Sequence, residues 1–208
     1  MTTIYTMNNK VLKNSANDKW LKKYVDPYNP NPLNLPPNTI RVKYNSGTSP
    51  YRGTTQTLVD STNNIWDVYI HDNNWGSIFN GDDDLLEVLG ANTTNVTETR
   101  QIFEHCRSLT SVQLFDTSNV TRMNGMFYEC QSLTSIPLFN TTNVNDMSNM
   151  FQNCWLVEGG ALALYQQAST QANPPSYHSN AFTNCGRHTQ IGRAELNQIP
   201  SSWGGLGA

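Results

Sequence analysis

The sequence predicts an α/β solenoid, because three consecutive stretches of the 208-residue chain repeat at a fixed offset of 24 residues. Written in register, they read NTTNVTETRQIFEHCRSLTSVQLF from Asn92, DTSNVTRMNGMFYECQSLTSIPLF from Asp116 and NTTNVNDMSNMFQNCWLVEGGALA from Asn140. A period of roughly 20 to 50 residues is typical of units that bury their apolar faces only by stacking on neighbours. We therefore expect function on an extended surface rather than in a closed pocket.

Each unit is predicted to contain one short helix followed by one short strand. Five apolar residues of the middle unit fall at spacings of three, three, one and three, which places them on one face of a helix: Val120, Met123, Met126, Phe127 and Cys130. The segment 135–138 then predicts a brief strand, with Ile136 and Leu138 facing the core.

Three columns of equivalent residues are expected to build the core. They are Val96, Val120 and Val144; Phe103, Phe127, Phe151 and Phe182; and Cys106, Cys130, Cys154 and Cys185. Every cysteine follows its phenylalanine by three residues, so the four thiols are one structural position repeated and are interpreted as small buried hydrophobic groups. A zinc site or disulfides are the alternatives.

The N-terminal residues 1–25 form a separate basic arm with the pattern of a short hairpin around Asn8 and Asn9. We interpret the arm as an anchor that docks on an acidic partner; a solvated arm is the alternative. The anchor candidates are Ile4, Tyr5, Lys10, Val11, Leu12, Lys13 and Trp20. Residues 26–38 are rich in proline and predict a semi-rigid spacer, which either projects the rest of the chain or lies against it.

The remaining boundaries follow from the repeat. Residues 39–77 predict a β-rich N-terminal cap, and residues 78–187 predict the repeat solenoid, beginning with a degenerate unit at Ile78 and Phe79. The last unit arrives seven residues late at Phe182, after an inserted helix near 161–168. Residues 188–208 are interpreted as a C-terminal cap, which a stack of this kind requires for solubility.

Composition excludes several functions. Charged residues make up 14% of the chain and the formal net charge is −3, so we expect no nucleic-acid partner. No apolar stretch is long enough for a membrane span, so we expect no membrane insertion. The start lacks a secretory signal pattern, from which we expect a cytoplasmic protein or a virion component assembled in the cytoplasm.

Catalytic chemistry is also not indicated. The sequence has no phosphate loop, HExxH, GxSxG or CxxC motif, and its histidines are scattered. We expect no enzyme activity, no cofactor and no metal. The acidic run Asp82, Asp83 and Asp84 is interpreted as a solvated turn rather than a calcium site.

Aromatic and strand residues are the best candidates for ligand binding. Aromatic rings next to Asn and Thr can stack on sugars, and outward strand positions join them; the surface-binding candidates are Trp66, Tyr69, Trp75, Gln113 and Pro137. Core or capping roles for the aromatic residues are the alternative.

The middle unit closely resembles the BspA-type bacterial leucine-rich repeats. The pattern is carried by Asn119, Val120, Thr121, Met123, Met126, Phe127, Cys130, Ser132, Leu133 and Thr134, and recurs over residues 78–187. The resemblance implies a leucine-rich-repeat fold and surface proteins that bind hosts, matrix or other cells. Together, the arm, spacer, repeats and closing segment also resemble small repeat proteins of phages of gut Bacteroidetes, which implies a virion component.

The functional hypothesis is a non-enzymatic phage virion protein, a head or tail appendage that attaches to other virion proteins through its arm. Its repeat surface would adhere to a host surface glycan or protein, and the chain could form a homo-oligomer. The alternatives are a bacterial cell-surface adhesin of the BspA type, an intracellular protein-binding module and a purely architectural decoration.

Overall fold

A computed structural model describes residues 33–50 and 55–207, together with the backbone of residues 4–7 and 10–13. Strands β1 (Ile4–Met7) and β2 (Lys10–Lys13) pair antiparallel, with Ile4 opposite Lys13. The predicted N-terminal hairpin is therefore confirmed. The side chains of Ile4, Tyr5, Lys10, Val11, Leu12 and Lys13, and the whole of Trp20, lie outside the described residues, so the anchor role stays a prediction.

A five-stranded sheet covers the N-terminal end of the repeats. Its order is β4 (Thr55–Asp60), β5 (Ile65–Tyr69), β3 (Thr39–Tyr44), β6 (Leu85–Asn92) and β7 (Ser111–Val112). The pairs are antiparallel except β6 with β7, which is parallel and joins positions 24 residues apart. Strand alternation buries Ile40, Val42 and Tyr44 on one face of the sheet.

The repeat units lie parallel, one on the next. Single bridges join equivalent positions of successive units and run through Asn74, Glu98, Arg122, Asp146 and Tyr177. The last step is longer because the inserted segment lies between Asp146 and Tyr177. With the open sheet and two short helices, this is an α/β arrangement of stacked repeats.

The helix predicted in each unit is wrong. Between residues 93 and 154, which the structure describes throughout, the chain forms successive tight turns. In the middle unit the N–H groups of Met123, Gly125, Phe127 and Glu129 donate to carbonyls of the following unit at 2.8 to 2.9 Å. The intervening N–H groups donate three residues back, as Cys130 does to Phe127 at 3.0 Å. An α-helix would need each N–H to reach back four residues, so half of the required bonds go to a neighbour instead.

Left-handed residues enforce the same departure from a helix. Two positions per unit, four residues apart, have positive φ: Gln101, Gly125, Asn149 and Asn180 in one column, and His105, Glu129, Asn153 and Asn184 in the other. For residues other than glycine this conformation is uncommon and costs about 1–2 kcal/mol each. Glycine and asparagine, which adopt it most readily, occupy five of these eight positions.

The strand predicted in each unit is also largely absent. Within residues 93–160, all of them described, Ser111–Val112 is the one strand, and 135–138 has no regular structure. Ile136 faces the core as predicted, but Leu138 is 50% exposed, so its assignment to the core is wrong. Because the segment is not an extended strand, strict alternation does not set the direction of Leu138.

A stack of phenylalanine rings fills the core. Ring centroids are 5.7 Å apart for Phe79 and Phe103, 5.4 Å for Phe103 and Phe127, 5.1 Å for Phe127 and Phe151, and 6.0 Å for Phe151 and Phe182. Each such aromatic pair adds about 0.5–1.5 kcal/mol beyond burial of its apolar area. The column Val96, Val120 and Val144 is buried beside it.

The C-terminal end of the stack is closed by helical segments. Helix α1 (Ala161–Thr170) occupies the inserted segment and confirms the helix predicted near 161–168. Helix α2 (Gln190–Leu196) and a 3-10 turn (Ser201–Trp203) follow. Leu196, Ile199 and Trp203 are buried against the last unit. Within the described part of the chain, no helix has both the length and the apolar character needed to cross a membrane.

The left-handed columns can be tested with opposite substitutions. Gly125 has φ +62°, and an added Cβ would lie 3.2 Å from Cγ of Gln101. We expect Gly125→Ala to lower the free energy of unfolding by about 1–2 kcal/mol. Gln101→Gly should raise it by roughly 0.5–1 kcal/mol, because relief of the left-handed strain exceeds the backbone entropy that glycine loses. Urea denaturation of both variants measures these changes, and a neutral Gly125→Ala would contradict the assignment.

Candidate functional site

The outward face of the sheet carries two cross-strand ion pairs. Arg41 of β3 donates to Asp67 of β5 through Nε at 2.6 Å and Nη2 at 2.7 Å. Lys43 of β3 donates through Nζ to Glu87 of β6 at 2.6 Å. Hydrogen bonding to Asp67 raises the pKa of the Arg41 guanidinium. Together the pairs hold β5, β3 and β6 in register on the side opposite the core.

An open groove of about 840 Å³ lies on this face. We call it the sheet groove; it is lined by Leu33, Arg41, Val59, Asp60, Ser61, Ile65, Leu89 and Gln113. Four of the lining residues are aliphatic, and the polar ones are Arg41, Asp60, Ser61 and Gln113. Gly90 leaves space for one wall, since a Cβ there would lie 3.0 Å from Cδ1 of Leu33.

The end of the proline-rich segment rests against the domain. Leu35 is buried, and its carbonyl accepts a hydrogen bond from the Asn92 side chain at 2.7 Å. The Asn38 side chain donates to Asn73 at 3.2 Å. Residues 33–38 therefore follow the domain-hugging alternative, and this path carries Leu33 to the sheet groove.

The sequence-predicted surface residues do not form one cluster. Gln113 lines the sheet groove, and Pro137 is half-buried one unit further along the stack. Tyr69 is 39% exposed and packs edge-on against His71. Trp66 is half-buried and donates from Nε1 to Asn64 at 2.9 Å.

The prediction that Trp75 is a surface-binding residue is wrong, because Trp75 is a core residue and cannot contact a ligand. Its exposed fraction is 0%. It precedes Phe79 in the first unit, where the degenerate sequence leaves the end of the stack to be filled by a large apolar side chain. The alternative interpretation of this residue, as core or cap, is the one the structure supports.

The acidic run 82–84 has divided roles. Oδ2 of Asp82 accepts the Tyr44 hydroxyl at 2.5 Å, and Oδ1 accepts the Asp84 N–H at 3.2 Å. Burial raises the pKa of Asp82. Asp83 instead turns to Arg107 and accepts its backbone N–H at 3.0 Å. Among the described residues no group of three or more His, Cys, Asp or Glu side chains could hold a metal ion.

The four cysteines are free and buried. The Sγ atoms of Cys106, Cys130 and Cys154 donate to the carbonyls of Phe79, Phe103 and Phe127, each in the preceding unit, at 2.9 to 3.0 Å. Burial raises the pKa of each of the four thiols, including Cys185. Because the thiolate is the reactive form, these side chains fit a packing role rather than a chemical one.

Most residues of the sheet groove were not predicted from the sequence. The alternation in TIRVKY placed Ile40, Val42 and Tyr44 on one side, so Arg41 and Lys43 had to face outward. Their partners Asp67 and Glu87 depend on the strand register, which the sequence does not reveal. The approach of Leu33 and Val59 to the groove depends on chain path in the same way.

Comparison with known protein families gives a match over part of the chain. Residues 73–174 match one family model. It is described as "Mycoplasma protein of unknown function, DUF285", a BspA-like repeat family. The matched range starts in the first stacked unit and ends after α1, so it supports the resemblance to a bacterial repeat family and no phage relationship. No curated protein and no solved structure matches the chain.

The buried Asp82 predicts a distinct pH dependence. Its pKa is raised on folding, so the folded state holds this proton more tightly than the unfolded state. Stability from this group is then present at acid pH and is lost as the pH rises through the folded pKa. Asp82→Asn keeps an oxygen acceptor for Tyr44 but cannot ionise. We expect the variant to gain free energy of unfolding, relative to wild type, between about pH 3 and about pH 7.

Urea denaturation at both pH values measures this difference. Tyr44→Phe is the control, because it removes a hydrogen bond that lowers the Asp82 pKa and should steepen the decline of stability with pH. An Asp82→Asn variant that parallels wild type at both pH values would contradict the assignment.

Proposed function

We propose that this chain is a non-enzymatic binding protein, built as a leucine-rich-repeat solenoid, which recognises another protein through its sheet groove. The observation that carries the proposal is the groove itself. An open groove lies on the side of the sheet opposite the core, and its lining combines four aliphatic with four polar residues.

The lining of the groove favours one of the two expected ligand classes. Sugar recognition relies on exposed aromatic rings, yet the side chains that line the groove include no aromatic ring. Of the aromatic candidates, Trp75 is buried, Trp66 is half-buried, and Tyr69, which is exposed, does not line the groove. Aliphatic residues beside an arginine, an aspartate, a serine and an amide suit an extended polypeptide, whose side chains fill apolar space while its backbone bonds to polar groups.

The proposed setting is the surface of a phage virion, to which the basic N-terminal arm attaches; the alternative is a bacterial cell surface. Surface proteins with the BspA-type repeats that this chain resembles bind hosts or matrix, which is consistent with a protein ligand. Genes that neighbour this one distinguish the settings, since capsid and tail genes would favour the virion and an exporter or wall anchor would contradict it.

Filling the groove should abolish ligand binding. Gln113 is exposed at the groove, so Gln113→Trp places a bulky ring there without disturbing the core. The probe is a displayed library of random linear peptides selected on the immobilised wild-type protein. We expect selected peptides to lose at least tenfold in affinity for Gln113→Trp, which corresponds to about 1.4 kcal/mol.

The matched control is Leu138→Trp, which adds the same ring at a residue 50% exposed in the next unit and outside the groove. Peptides should bind this variant as they bind wild type. Equal loss in both variants, or selection of glycans from an array and no peptides, would contradict the proposal.

A further inference from the structure

Strand β4 forms the outermost position of the five-stranded sheet and has β5 as its neighbour among the described strands. Its sequence, TQTLVD, contains no proline, lysine or arginine. Leu58 and Val59 are each 45% exposed. Edge strands are usually protected by proline or charged residues or by a covering segment, because unpaired backbone N–H and C=O groups pair readily with another strand.

We propose that β4 pairs antiparallel with β4 of a second copy of this chain, across a two-fold axis, to give one continuous ten-stranded sheet. The inference does not require a ligand in the sheet groove, although Val59 and Asp60 of β4 also line that groove. A two-fold arrangement satisfies both edges with a single self-complementary surface.

The faces of the strand restrict the register of the proposed pair. Thr57 pairs with Asp67 and so lies in the outward row with Arg41, whereas Leu58 pairs with Trp66 in the row that faces the core. Antiparallel partners must show the same face, and the register we propose meets this condition by placing Thr57 opposite Thr57 of the second copy. Gln56 then lies opposite the second copy's Leu58, and Thr55 opposite its Val59. Threonine pairs and β-branched neighbours are favourable cross-strand contacts.

Charge supports this antiparallel pairing over a parallel one. Asp60 is the one charged residue of β4 and lies at its C-terminal end, just beyond the register shift between Leu58 and Asp60. In the proposed register the two Asp60 residues are separated by roughly 20 Å along the sheet edge. Each instead arrives near Thr55 of the other copy, whose hydroxyl is 2.9 Å from Nε2 of His71. A parallel pair would set the two carboxylates side by side.

Charge placed on the two-fold axis tests the pairing directly. Thr57 is exposed, so Thr57→Lys and Thr57→Asp should fold normally while like charges face each other across the axis. Sedimentation velocity of the full chain should show a concentration-dependent dimer for wild type. We expect each variant to dissociate at least tenfold more readily. An equimolar mixture of the two should associate again, because the introduced ammonium and carboxylate groups then face each other across the interface.

Leu138→Lys is the matched control and should dimerise as wild type, because it adds the same charge at an exposed site away from β4. Thermal unfolding midpoints verify that all variants are folded. The proposal is overturned by a wild-type chain that stays monomeric at its highest soluble concentration, or by Thr57→Lys that dimerises unchanged. It is also overturned if Lys10→Glu with Lys13→Glu abolishes the dimer while Thr57→Lys does not, since the arm would then be the occupant.

Discussion

The division of backbone N–H groups between two kinds of partner is the constraint on which this fold depends. Along the turn segment of each unit, as in residues 123–130, every second N–H donates to a carbonyl of the next unit and the intervening ones close turns within their own unit. Buried backbone groups must be paired, and this alternation pairs them without a helix or a long strand. A unit is therefore incomplete without its neighbour, which makes the stack cooperative.

This backbone pattern explains why the same side chains recur. Parallel units without offset place equivalent residues in contact, so the phenylalanine rings stack and the thiols of Cys106, Cys130 and Cys154 each donate to a carbonyl one unit earlier. Asparagines cap the turns by the same geometry, since Asn119 donates to the carbonyl of Thr94 and Asn143 to that of Ser118. Identical residues satisfy identical environments, which is the physical origin of the sequence period.

The period identified the stacking, the core columns, the inserted helix and the C-terminal cap, because each depends on which residues are equivalent. The period did not predict the local conformation of the backbone. Apolar residues spaced three and four apart suit a helix, but a turn every three residues gives the same apolar face. The left-handed conformation of Gln101 and Glu129 has no signal in the sequence. Most of the sheet groove could not be predicted from the sequence, because the pairing of Arg41 with Asp67 depends on the register of their strands. The role of Trp75 was predicted wrongly because a ring that covers the end of a stack of repeats and a ring that binds a ligand look alike in sequence.

Removal of one whole unit tests the central claim most directly. Deleting 116–139 joins Phe115 to Asn140 and keeps every column in register, whereas deleting 116–127 removes half a unit and misaligns all of them. The account predicts that the 24-residue deletion gives a folded protein with cooperative urea unfolding at reduced stability, and that the 12-residue deletion gives an unfolded one. Equal disruption by both deletions would contradict it.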